Sequence, residues 1–320
     1  MYFKPRPLRR SGVFYSFLVF PHFYATHTLQ MTQKLPSLFR VLRPYHWIKN
    51  IVVWSAPIFA LHFTIETVLR GSLVFLVFSL IASTFYVIND LKDAPHDQLH
   101  PTKKNRPIAS GAVSRQQAQF LAGITGTLGI GLACFLPIQA LLLVVGYIAL
   151  QMAYNLHLKQ EPILDLLTLA LGFVLRALAG AFAMNVPVSK WFVLCLGLLS
   201  LFLGIEKRKA ELLSLGSEAN TRKVLAHYSL GWLHRMESIV SAAALMAYAL
   251  WTIEAATSSY MLTTIPFVVY SLFRYQYLTE NGLGETPEVT LFADRGMRYA
   301  FLSWLIFVLI FLALEKGLWA

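Results

Sequence analysis

The side chains best equipped for chemistry lie in one short stretch, Asn89-Asp90-Leu91-Lys92-Asp93-Ala94-Pro95-His96-Asp97. Spaced at i, i+3 and i+7, Asp90, Asp93 and Asp97 share one face of a helix, with Asn89 beside them. Like charges that close repel one another, so the cluster is costly unless a cation sits among them. It also ends a long apolar run, Leu69 to Ile88, near a helix C-terminus where the macrodipole disfavours anions. A cluster that breaks two local rules reads as a site. Hard oxygen donors in this arrangement suit Mg2+ carried on a diphosphate, which makes Asn89, Asp90, Asp93 and Asp97 the candidate metal ligands. The basic stretch that follows, with Lys103, Lys104 and Arg106, suits the phosphates themselves. The bland alternative is a solvated acidic loop with a basic neighbour. Pro95 cannot sit comfortably inside a helix, so the helix is predicted to end or kink there, with Asp97 approaching the ion from a loop.

The chain that must position this cluster has 320 residues, 57% hydrophobic and only 13% charged, too apolar for a soluble domain. Its apolar residues gather in long runs, which predicts an all-α polytopic membrane protein. Nine spans are expected, at 48–64, 69–90, 116–136, 138–157, 164–184, 191–209, 236–256, 258–274 and 299–318. Residues 1–36 read as an undetermined leader, in which Lys4, Arg6, Arg9 and Arg10 precede a run, Val13 to Phe20, too short to span. Met31 is an alternative start, and residues 37–320 form one transmembrane domain. Ser37 to Trp47 is amphipathic, suited to a membrane interface. With the N-terminus in the cytoplasm, 23 of the 27 lysines and arginines fall on that side. Arg70, Lys190 and Lys316 lie outside and Arg176 lies within a span, the asymmetry of the positive-inside rule. The net charge of +11 then reflects loops facing anionic lipid and phosphate ligands rather than nucleic acid. Cys134 and Cys195 lie inside apolar runs with no metal-ligand spacing and read as core residues.

Three further cytoplasmic stretches concentrate polar chemistry. The first runs from Tyr154 through Lys159 to Asp165 and on to Gly172 and Arg176, the last three sharing one helical face. Arg176 lies roughly 16 Å along that helix from Asp165 at about 1.5 Å per residue. A guanidinium so deep needs a polar cavity or a partner; it is either one half of an Arg–Asp clamp between helices or a cavity charge for an anionic ligand. The second, Glu206-Lys207-Arg208-Lys209-Ala210-Glu211, pairs Lys207 with Glu211 at i,i+4 and reads as a positive-inside collar or as phosphate ligands beneath a mobile lid. The third, Glu280 through Asp294 and Arg295, turns at Gly282 and Gly284. Walker A, HExxH and GxSxG patterns are absent from the sequence, as is the acid-acid loop of soluble phosphoribosyltransferases.

From about Leu38 to the C-terminus the chain resembles the UbiA superfamily of intramembrane prenyltransferases. The resemblance rests on NDxxDxxxD at Asn89, Asp90, Asp93 and Asp97, followed by Pro101, Lys103, Arg106, Pro107 and Gly111. It implies a bundle of nine spans around a cavity open to the cytoplasm, with Mg2+-dependent transfer and diphosphate as leaving group. The second motif departs from the common pattern: Asp165 is present, but Leu169, four residues on, is apolar. RPYHWIKN at 43–50, Tyr154 to Lys159, LDLLTLALGFVLRALAG at 164–180, KRKAEL at 207–212 and Glu285, Glu288 and Asp294 resemble instead the branch that transfers phosphoribose to decaprenyl phosphate. The resemblance implies phosphoribosyl diphosphate as donor and a membrane-held polyprenyl phosphate as acceptor. It implies Asp90, Asp93, Asp97 and Asp165 as catalytic residues. The implied phosphate and substrate ligands are Asn89, Lys49, Lys103, Lys104, Arg106, Tyr154, Lys159, Arg176, Lys207 and Arg208. Arg222 and Lys223 are further candidates for the 5-phosphate. The alternative within the superfamily is an aromatic prenyltransferase using polyprenyl diphosphate and a quinone-precursor ring. A homo-oligomer is compatible with either.

Overall fold

The computed structural model describes residues 36–99, 103–215, 223–255, 259–284 and 286–316, so the leader with Met31, Pro101, Arg222 and Glu285 lie outside the described residues, as do the side chains of Lys223 and Glu288. No strand occurs among the described residues. The α-helices are α1 Ser37–Val41, α2 Ser55–Phe59, α3 Ile65–Asp97, α4 Arg115–Ala133, α5 Ile138–Leu156, α6 Leu164–Ala183, α7 Lys190–Leu215, α8 Leu230–Ala255, α9 Ile265–Glu280, α10 Pro287–Ala293 and α11 Arg295–Glu315, with a 3-10 helix at Pro44–Trp54. Neighbours in sequence pack as neighbours in space, α3 on α4, α5 on α6 and α7 on α8, as short connections require.

Local signals place several helix starts. Thr64 caps α3 by accepting from the Thr67 amide at 3.1 Å. Ser114 and Gln117 close a reciprocal capping box at the start of α4, at 3.2 and 3.0 Å, satisfying two orphan amides at once. Burial is that of a membrane bundle: Phe120, Leu142, Ile239 and Ile306 point outward, while Asp90, Asp165, Arg208 and Lys209 are inside. Apolar side chains facing lipid cost nothing, and the charged ones must find each other.

Five of the described helices, α3, α5, α6, α8 and α11, are long and apolar enough to cross a membrane, which establishes a polytopic all-α membrane protein. Of the four remaining expected spans, two are continuous helices with polar ends, α4 and α7, and two are irregular. Residues 48–64 are not one helix but the 3-10 segment followed by α2, so that Pro57, which lacks an amide hydrogen, falls in a first turn where it is tolerated. The expected span 258–274 is likewise a 3-10 turn, Ser259–Thr264, leading into the 16 residues of α9. The start of α4 carries Arg115, Gln116, Gln117 and Gln119, and α7 ends in the charged KRKAE run.

Helix α3 differs from expectation at the residues that matter most. It runs through Pro95 to Asp97, with no loop before Asp97. Pro95 lies in the final turn, where only one intrahelical bond is lost, and the Gln98 amide still reaches the Ala94 carbonyl at 3.1 Å. The end is then fastened from outside, by Gln98 Nε2 on the Ala109 carbonyl at 3.2 Å and by Arg106 on Asp97.

Candidate active site

The acidic cluster is knitted together by cations. Arg106 Nη1 donates to Asp90 Oδ1 at 3.2 Å and to Asp97 Oδ2 at 2.6 Å, so one nitrogen bridges two of the three carboxylates. Arg43 Nη2 donates to the same Asp90 Oδ1 at 2.6 Å. Asn89 spans the other side, giving its amide to Asp93 Oδ2 at 2.9 Å and accepting Lys159 Nζ at 3.2 Å. Asp90 and Asp97 are 3% and 5% exposed, deep enough that an uncompensated pair would be severely destabilising.

Four elements converge to build this arrangement. Helix α3 supplies Asn89 to Asp97 at helical spacing. The 103–113 segment folds back under α3, closed by the Val113 amide on the Pro107 carbonyl at 2.9 Å and by Gly111 at φ 77°, and this return brings Arg106 in. Lys159 comes from the turn after α5. Arg43 comes from the segment before the 3-10 helix, which is docked on α3 by Trp47 Nε1 to Ser83 Oγ and by Ser83 Oγ to the Leu42 carbonyl, each at 2.9 Å. Burial opposes the charge on Arg43, but Asp90, helped by Tyr45 and Tyr86, holds the guanidinium above its ordinary value.

The second acid sits in a separate knot. Asp165, fully buried, accepts Arg208 Nε on Oδ2 at 2.8 Å and the Tyr228 hydroxyl on Oδ1 at 2.6 Å. Arg208 continues to Glu211 at 2.7 Å, so Glu211, which its spacing paired with Lys207 at i,i+4, pairs with Arg208 at i,i+3. Tyr228 also accepts the Ile163 amide at 2.9 Å, beside a backbone at φ 69° that a β-branched residue rarely adopts. Burial first, then the hydrogen bond to Asp165, push the Tyr228 hydroxyl above its ordinary value. Lys209, also fully buried, turns the other way to Glu237 at 2.7 Å and Glu280 at 3.4 Å.

Among the described residues Arg176 forms no Arg–Asp clamp. Its guanidinium donates to the Gly172 carbonyl at 2.9 Å and to the Tyr147 hydroxyl at 2.7 Å. It lies over the rings of Tyr147, Phe173 and Phe78 at 4.6, 5.5 and 5.9 Å, an aromatic cage that stabilises a buried cation. Lys49 follows on the 3-10 helix, Lys103 and Lys104 lie in the return segment beside Arg106, Tyr154 is near the end of α5, and Lys207 is half-buried on α7. Arg43 and Tyr228, like Tyr147 beside Arg176 and Glu237 beside Lys209, were not among the sequence candidates. Arg43 stood in a resembling segment without any local signal, whereas Tyr228 follows a connection in which nothing pointed to a tyrosine.

The donor set fits a hard divalent ion in one sense and not in another. Among the described residues no three His, Cys, Asp or Glu side chains form a ready metal cage. Yet a single guanidinium nitrogen bridging Asp90 and Asp97 demonstrates that these carboxylates face a common cation position. Mg2+ needs only one or two carboxylates when phosphates and waters complete its octahedron. Two cavities lie elsewhere. One of about 450 Å³ is an apolar groove along α4 at Phe120, Ile124 and Leu128. The other, about 420 Å³, is lined by His62, Glu66, Arg70, Gln139 and Asn185 at the far end of α3.

Residues 51–302 match the profile of the UbiA prenyltransferase family. The chain is 35% identical over 287 residues to a decaprenyl-phosphate phosphoribosyltransferase of Mycolicibacterium smegmatis, covering 84% of this chain and 90% of that one. A decaprenyl-phosphate phosphoribosyltransferase of Corynebacterium glutamicum is 34% identical over 281 residues, covering 84% of each. The fold is similar to that of a UbiA homolog from Archaeoglobus fulgidus bound to DMAPP and Mg2+, with a TM-score of 0.67 at 16% identity over 87% of this chain and 99% of that one.

Proposed function

The chain belongs to the UbiA prenyltransferase family, and from that premise we propose that it transfers 5-phosphoribose from phosphoribosyl diphosphate to a polyprenyl phosphate of decaprenyl type, with release of diphosphate. Identity of 34–35% to the phosphoribosyltransferases across more than four fifths of each chain supports this choice of donor and acceptor. The observation that carries the site is the convergence of Asp90 and Asp97 on one cationic nitrogen.

Asn89, Asp90, Asp93 and Asp97 hold Mg2+ with the diphosphate of the donor; when bound, the ion neutralises charge on the leaving group. Arg106, Lys103 and Lys104 face that diphosphate from the return segment, with Lys49, Lys159 and Lys207 contributing charge around the mouth. Donors fixed in place before charge develops lower the barrier without reorganising. The ribose carbon that loses diphosphate tolerates positive charge, and the acceptor phosphate is an anion at neutral pH, so no strong general base is required. Asp165, Arg208 and Tyr154 shape the wall beside the site, and Arg176 in its aromatic cage shapes the depth of the bundle. Nine spans, with the acidic cluster facing the cytoplasm, agree with the distribution of lysine and arginine.

Membranes containing the protein, given labelled phosphoribosyl diphosphate, polyprenyl phosphate and Mg2+, should yield a phosphoribosylated lipid. Labelled polyprenyl diphosphate with a quinone-precursor ring, offered in parallel, should give nothing. The reverse outcome would assign an aromatic prenyltransferase and overturn the reading.

A further inference from the structure

We infer that Arg43, paired with Asp90, competes with a divalent ion for that carboxylate and is a ligand of the donor's diphosphate when ion and donor bind together. The inference rests on the assignment of the acidic cluster to a metal-bound diphosphate and adds a residue and an exchange to it.

Asp90 Oδ1 accepts two guanidinium hydrogen bonds, from Arg43 at 2.6 Å and from Arg106 at 3.2 Å. Asp97 shares Arg106 with Asp90, while Asp93 accepts from Asn89, whose amide oxygen receives Lys159, so the guanidinium groups gather on Asp90 and Asp97. A divalent ion approaching Asp90 would therefore meet two like charges already in place. A diphosphate arriving with the ion changes that balance, because it brings the anionic oxygens to which the guanidinium groups can turn. Arginine is suited to the exchange, since its planar fork matches phosphate oxygens as well as carboxylate ones.

Arg43 is better placed to move than a purely structural clamp would be. Its side chain is 19% exposed and Asp90's only 4%, so the arginine sits at the rim and the carboxylate below it. Its guanidinium lies over the Tyr86 ring at 5.5 Å, a sequence-neutral support that keeps the cation beside the site without fixing its partner. Its backbone, at φ 52° and ψ 55°, is left-handed in a residue with a Cβ, followed by Pro44, which disfavours the helical region for the residue before it. The chain is thus held in an unusual conformation at the one position that delivers this side chain to Asp90.

The test titrates the purified full-length protein with Mn2+ as a spectroscopic substitute, alone and with inorganic diphosphate. Arg43→Met should bind Mn2+ alone several-fold more tightly than the parent, because a competing cation has gone. It should bind Mn2+ with diphosphate about tenfold more weakly, one charge-assisted contact being lost. Arg43→Lys, which keeps charge but not the fork, should fall between. A parent that binds no Mn2+-diphosphate would sink the assignment of the cluster itself. A parent that binds normally, with a variant in which both affinities fall, both rise or neither moves, would overturn the role of Arg43 alone. So would failure of both variants to fold, which would make Arg43 a structural clamp.

Discussion

The Tyr228 hydroxyl donates to Asp165 Oδ1 across 2.6 Å while accepting the Ile163 amide, and this pair fixes how α6 begins. Asp165 is simultaneously the partner of the buried Arg208, so the two variants should differ. Tyr228→Phe removes two hydrogen bonds, the one to the Asp165 carboxylate and the one from the Ile163 amide, and should cost about 2–4 kcal/mol of stability. Asp165→Asn strips Arg208 of its main counter-charge and should cost about 3–5 kcal/mol. Thermal unfolding in detergent gives the ranking. Neither change should alter the affinity for Mn2+ with diphosphate; a tenfold loss in Asp165→Asn would make Asp165 a ligand instead of a positioning residue.

Asp93→Asn tests the cluster where it is least entangled in ion pairs. Asp93 is half-buried and accepts from Asn89 Nδ2 at 2.9 Å, and an amide of the same shape leaves Arg43 and Arg106 on their partners. Turnover should fall by roughly 100-fold to 1,000-fold, the scale of losing one preorganised charge-stabilising group, with an unfolding temperature within a few degrees of the parent. Activity close to that of the parent would remove Asp93 from the metal site.

The acidic cluster was legible because its chemistry is local: three acids and an amide on consecutive helical turns need no tertiary information. The long apolar spans were legible for the same reason, since a bilayer imposes length and composition on each helix separately. Partner choice was not. KRKAEL reads as three surface cations, yet Arg208 is committed to Asp165 and Lys209 to Glu237 and Glu280, because neighbouring residues on α7 point to α6 on one side and to α8 and α9 on the other. Arg176 read either as half of an Arg–Asp clamp between helices or as a cavity charge for an anionic ligand, but the aromatic rings of α3, α5 and α6 enclose it. Pro95 misled for a different reason: a proline is disruptive in a helix interior, and its distance from the helix end depends on contacts made by Arg106.

Gly180 should be intolerant of any side chain. A Cβ there would fall on the Val53 carbonyl, where α6 passes against the 3-10 helix that follows Arg43 and Pro44. Gly180→Ala forces those elements apart and should cost about 1–3 kcal/mol, the usual scale of overpacking. The displacement would be felt at Arg43, so weaker binding of Mn2+ with diphosphate should accompany the lower unfolding temperature. An alanine variant with parental stability would mean that the 3-10 segment moves aside freely and does not hold Arg43 in register.

Asp294 gives the bundle an acid-sensitive joint away from the acidic cluster. It caps α11 by accepting the Met297 amide at 2.8 Å and receives Arg274 at 3.1 and 2.8 Å. Burial alone would raise its carboxyl, but the Arg274 hydrogen bonds and then the helix N-terminus hold it below the ordinary carboxylate value. A group whose folded value is depressed contributes stability that is complete above the ordinary value and is lost as the pH falls through the folded one. At neutral pH, Asp294→Asn keeps the cap, loses the charge and should be less stable than the parent by about 1 kcal/mol. Acidification below the ordinary carboxylate range should shrink that gap as the parent loses what the variant never had. Unfolding temperatures of the two proteins measured across that range check the sign, and a gap that widens with acid would place the charge on Asp294 at odds with its partners.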